Sequence, residues 1–199
     1  MEIPYTDVLA RVQQIEALIA PPVSQPVPQS AAPVAAPSFA TMLAGALQPG
    51  PVAQGSGSAV VAAAATQLGA SEQPPGSNDG PQIAAYRSAV AGAEPGEPWC
   101  AYFASWAAAQ AGTPLGDSGQ GLGSVAEITS WAQQTGRYLP AGSTPAPGDL
   151  ILFGDEHVGI VESVNADGSL TTIEGNYDNA VSEVHRLPSE ATGYVSLGA

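Results

Sequence analysis

The chain has 199 residues, enough for one ordinary domain and an appendage, with 18 acidic residues against four arginines and no lysine. A net charge of −14 excludes a nucleic-acid partner, which needs clustered Lys and Arg, and argues equally against anionic lipid. The single cysteine rules out an internal disulfide, and no run of eighteen apolar residues offers a membrane span.

Residues 5–20 predict an amphipathic helix. Val8, Val12, Ile15 and Ile19 fall at helical spacing, Leu9 and Leu18 widen the stripe, Thr6 or Asp7 caps the start, and Pro21-Pro22 stop it. A lone helix of this length is marginal in water, so its apolar face calls for a partner: a second copy, another protein or the rest of the chain. No basic n-region opens the sequence, so a secretory signal is not expected and any action outside the cytoplasm implies a specialised route. Residues 21–57 are Ala/Pro-rich without one charge and read as a disordered spacer, with Phe39, Met42, Leu43 and Leu47 as a short docking element inside it.

The folded domain is expected over residues 58–199. Helices are predicted at about Ala59–Leu68, closed by Gly69, at Gln82–Val90, and from Pro98 through Ala101–Gln110 to Gly112. A fourth spans Val125–Gln134, opened by a Ser124/Glu127 capping box. The period then changes. Strands are predicted at Asp149–Phe153, His157–Val164, Leu170–Glu174, Val181–Leu187 and Gly193–Leu197, the second and third joined at Asn165-Ala166-Asp167-Gly168. Helices first and an antiparallel sheet afterwards make an α+β fold.

Cys100 falls in the first turn of its helix, where free N–H groups favour a thiolate; a filler cysteine belongs more naturally mid-helix on the apolar face. His157 opens a strand after Gly154-Asp155-Glu156, at a sheet end where side chains face a cleft. A Cys–His hydrolase needs this pair. The imidazole needs a partner that fixes its tautomer, and Glu174 fits by accepting the Nδ1 proton. Asn176, two residues on, shares its face in a regular strand and joins the orienting role or meets substrate. His185 reads as a solvated strand residue. Phe103 and Trp106 read as core, while Trp99 is divided between core and substrate groove. Asp155-Glu156 lacks the spaced acidic ladder that calcium requires, and neither metal nor organic cofactor is expected.

Three segments, Glu94–Gly112 (EPGEPWCAYFASWAAAQAG), Pro147–Val164 (PGDLILFGDEHVGIVESV) and Leu170–Asn176 (LTTIEGN), together resemble CHAP domains, the cysteine, histidine-dependent amidohydrolase/peptidases related in fold to papain and NlpC/P60 enzymes. The resemblance implies a papain-like fold and a cell-wall hydrolase that cleaves peptidoglycan at the muramoyl–alanine amide or within its peptides. It implies Cys100 as nucleophile, His157 as base, Glu174 as orienting residue and Asn176 as a fourth polar member. Many relatives carry glutamine beside the cysteine, where Trp99 stands here, so the second oxyanion donor is open; Asn78 and the Tyr86 hydroxyl are the candidates. A helix, a charge-free spacer and a wall hydrolase together suggest a tethered enzyme, flagellum-associated or a phage lysin. The rival readings are a non-catalytic assembly protein using the hydrolase fold and an amidase acting on a small peptide conjugate.

Overall fold

A computed structural model describes residues 56–198. The helix expected over residues 5–20 lies outside them, as does the spacer except for Ser56 and Gly57.

Four helices precede and flank the sheet: α1 (Ser56–Ala65), α2 (Pro81–Arg87), α3 (Cys100–Gln110) and α4 (Val125–Gln134). α1 starts and ends earlier than its composition predicts. Thr66 Oγ1 turns back to the Ala63 carbonyl at 2.6 Å, and the chain leaves through Gly69 at φ 82°. α2 likewise stops at Arg87, with Ser88 Oγ bonded back to the Ala85 carbonyl. α4 has its predicted bounds and carries the Ser124/Glu127 capping box.

α3 is the central helix. Its alanines permit close approach on several sides, and it packs against α1, α2, β3 and β4. Cys100 occupies its first position behind Trp99 as N-cap, which places Pro98 one residue before the cap rather than inside the helix.

The sheet is antiparallel, in the order β1-β6-β2-β3-β4-β5. The strands are β1 (Tyr138–Pro140), β2 (Leu150–Phe153), β3 (His157–Val164), β4 (Leu170–Tyr177), β5 (Ala180–Arg186) and β6 (Gly193–Val195), with a 3₁₀ turn at Pro188–Glu190. The fold is α+β, consistent with a small papain-like domain. One sheet face, through Leu150, Leu152, Val158, Ile160 and Ile173, joins the helices in the main core. The other face carries a smaller cluster of Ile151, Val161, Leu170, Ala191 and Tyr194, edged by Leu139 and Phe153.

Two features of the sheet set up the site. β2 and β3 form a tight hairpin that pairs Phe153 with His157, so His157 emerges at the strand's first residue. β4 runs on three residues past Glu174, but its register with β5 shifts between Glu174 and Tyr177, and Asn176 takes φ 60°. That irregularity breaks the alternation of side chains along the strand.

Candidate active site

Cys100, His157 and Glu174 come from α3, β3 and β4. His157 feels the Cys100 side chain electrostatically, and its Nε2 lies 2.8 Å from Glu174 Oε2. The expected ring orientation is therefore reversed: the Glu174 carboxylate faces Nε2, which leaves Nδ1 as the nitrogen for the sulfur. The reason is the entry point of His157, whose place at the end of β3 sets the ring between the two elements.

Glu174 is fully buried and accepts from three side chains. Arg186 grips it as a fork, Nε to Oε1 at 2.8 Å and Nη2 to Oε2 at 2.7 Å. Thr172 Oγ1 donates to Oε1 at 2.6 Å. Burial alone would push the Glu174 carboxyl up, but the Arg186 fork, then His157 and Thr172, outweigh it and hold it at about 2. Burial also opposes charge on His157; hydrogen bonds and charge from Cys100 and Glu174 prevail and raise it to about 9. The arrangement favours a charged imidazole at neutral pH.

Two glycines give this cluster its closeness. A Cβ on Gly159 would stand 2.8 Å from Glu174 Cγ, so β3 must be bare there for the carboxylate to lie across it. A Cβ on Gly175 would stand 2.5 Å from Phe103 Cβ, so β4 meets α3 backbone-close immediately beside Glu174.

Cys100 opens onto a cleft of about 240 Å³ that Glu97, Pro98, Tyr102, Ser124, Asp155 and Glu156 help to line. Next to its lining residue Gly123, buried Ser105 clasps the chain: its hydroxyl donates to the Leu122 carbonyl at 2.8 Å and accepts from the Leu122 N–H at 2.9 Å. Among the described residues no three His, Cys, Asp or Glu side chains converge as metal ligands.

The remaining expected residues sort differently. Asn176 turns away from His157 because of the break in β4. In the amide orientation that matches donors to acceptors, its oxygen accepts from the Trp99 N–H and its nitrogen donates to Glu72 Oε1, both at 3.2 Å. Asn78 Oδ1 lies 3.4 Å from that amide, while Asn78 Nδ2 donates to the Gly96 carbonyl at 3.2 Å. Two substrate-contact expectations are corrected. Tyr86 is fully buried among Trp99, Phe103 and Trp106, and its hydroxyl donates to Gln67 Oε1 at 2.9 Å, so it reaches no cleft. Burial pushes that phenol up to about 12. Trp99 is also fully buried, with its indole N–H on Glu72 Oε1 at 2.9 Å, and belongs to the core. His185 is exposed, as expected for a solvated strand residue.

Sequence reasoning missed Arg186 and Glu72. Arg186 had a signal: it is one of four basic residues, and folding the chain back after Tyr177 brings its strand beside Thr172 and Glu174. Glu72 had none, being an acid in a Pro- and Gly-rich loop.

No curated protein and no solved structure matches the chain. The family model of the CHAP domain does match, over residues 92–176, a span that opens eight residues before Cys100 and closes on Asn176. Over that stretch the chain is similar to the CHAP domain, a likeness that supports a peptidoglycan amidase- or peptidase-type hydrolase in general.

Proposed function

We propose that the protein is a cysteine hydrolase of peptidoglycan that uses Cys100 as nucleophile, His157 as base and acid, and Glu174 as the orienting carboxylate. The observation that carries this reading is the convergence of Cys100, His157 and Glu174 beside a cleft that Cys100 lines, with His157 Nε2 2.8 Å from the Glu174 carboxylate. The sulfur, its proton held by His157, adds to an amide carbonyl of a wall peptide. The C–N bond breaks as His157 passes that proton to the departing amine, leaving a thioester. Water then attacks the thioester, giving its proton to His157, and the carboxylic acid and free thiol are released. The oxyanion formed at each addition needs N–H donors. No side chain caps α3, so its first-turn N–H groups, that of Cys100 foremost, serve this purpose. Glu174 keeps the ring aligned and balances its charge.

Cys100→Ala tests the assignment. Loss of solubilisation of purified wall, with unchanged thermal unfolding, is expected; a variant that still lyses wall would refute it and favour an assembly role. Mass spectrometry of muropeptides released by the unmodified protein separates amidase from endopeptidase by the bond cut.

A further inference from the structure

Among the described residues, Glu72 is the buried carboxylate near the nucleophile that the mechanism above leaves unused. It is 2% exposed and lies in the loop between α1 and α2, outside the span matched to the CHAP domain. Its backbone N–H donates to the Asn179 carbonyl at 3.0 Å, tying the loop to the β4–β5 turn. Its two oxygens collect donors from three separate segments. Oε1 accepts from the Trp99 indole at 2.9 Å and from the Asn176 amide at 3.2 Å, and Oε2 accepts from the Asn78 backbone N–H at 3.0 Å.

The result is that Trp99 is held twice. Glu72 fixes its indole directly, and Asn176, itself anchored on Glu72, accepts from its backbone N–H. Trp99 is the N-cap of α3, at φ −115° and ψ 13°. Its ψ sets the plane of the Trp99–Cys100 peptide and so the direction of the Cys100 N–H. A carboxylate suits this post because every group it meets is a donor; an amide would turn its own NH₂ on one of them.

We infer that Glu72 is a positioning residue of the hydrolytic site: through Trp99 and Asn176 it aims the Cys100 N–H at the carbonyl oxygen under attack. The inference rests on the hydrolytic reading above and adds to it the anchor of the oxyanion donor.

The test compares two reactions of Cys100 in the full chain. Hydrolysis of purified peptidoglycan passes through an oxyanion; alkylation by iodoacetamide does not. For Glu72→Gln we expect kcat to fall about 10²-fold with little change in KM, the size set by a donor misplaced by about an ångström. Alkylation should remain within about threefold of the unmodified protein, because the Cys100–His157–Glu174 series is untouched. Equal losses in both reactions, or no loss in hydrolysis, would overturn the inference and leave Glu72 a brace of the fold. If Glu72→Gln does not fold, Trp99→Phe decides: it keeps the backbone N–H on Asn176 but removes the indole donor. A smaller loss confined to hydrolysis then supports the inference, and its absence overturns it. Failure of the unmodified protein to cleave wall would instead refute the hydrolytic reading itself.

Discussion

Arg186→Met removes the fork that holds Glu174 and leaves a buried carboxylate with Thr172 and His157 alone. Keeping the Glu174 carboxyl at about 2 rather than at 4.5 corresponds to about 3 kcal/mol of folding free energy at neutral pH. Removal of one member of a buried pair typically costs about 3–5 kcal/mol, and the 16% exposure of the Arg186 side chain argues for the lower end. The guanidinium also lies over the Phe153 ring at 4.5 Å and the Tyr177 ring at 5.2 Å, contacts that methionine only partly replaces. We expect a loss of about 3 kcal/mol at pH 7, or about 10 °C in Tm for a domain of this size. Because the folded-state carboxyl lies below its ordinary value, its contribution is complete above about pH 4.5 and disappears as pH falls through about 2. The gap between Arg186→Met and the unmodified protein should therefore narrow by pH 3. Urea unfolding followed by tryptophan fluorescence at pH 7 and pH 3 measures both quantities. A gap below about 1 kcal/mol at pH 7, or one of equal size at both pH values, would refute the assignment of Arg186 as the group that keeps Glu174 charged.

The other expectations concern His157 and the two close-contact glycines. His157 is raised from 6.5 to about 9, so its contribution to stability is full below about 6.5 and is lost as pH rises through about 9; His157→Ala should flatten that alkaline decline in Tm. Gly159→Ala presses on Glu174 Cγ while Arg186 and Thr172 hold the carboxylate, so the contact with His157 gives way. Wall hydrolysis should fall about tenfold or more with a minor change in Tm. Gly175→Ala instead drives β4 against Phe103 Cβ, an atom fixed to the α3 backbone, and should cost about 1–3 kcal/mol or more in urea unfolding.

Local pattern carried much of the domain. The Ser124/Glu127 box marks α4 to the residue, and alternation in His157–Val164 marks β3, because in both cases a short-range chemical rule acts without competition from distant contacts. β1 escaped because Tyr138-Leu139-Pro140 ends in proline and pairs, far along the chain, with β6. Cys100 and His157 each open an element that the sequence punctuates, whereas Glu174 falls inside β4, three residues before its end. Asn176 could be named but not aimed: the register shift after Glu174 depends on the Asp178-Asn179 turn, where both residues have positive φ. The groove place offered to Trp99 and the oxyanion role offered to the Tyr86 hydroxyl fail because the two side chains are buried against each other, Tyr86 also against Phe103, which is a long-range fact. Arg186 and Glu72 act from 12 and 27 residues away on the groups they bind, beyond the reach of periodicity.

If the proposed mechanism holds, the Arg186–Glu174 pair has a consequence for turnover as well as for folding, as follows from that mechanism's charges. Before acylation the Cys100–His157 pair shares one proton and is neutral as a unit, whether that proton sits on sulfur or on the ring. Once the thioester has formed and the amine has left with the proton, the ring is neutral and can no longer balance Glu174. In a dry site that step would strand a lone anion beside the intermediate. With Arg186 in place, the cluster's net charge is zero both before and after acylation, so no counterion has to enter between the two half-reactions.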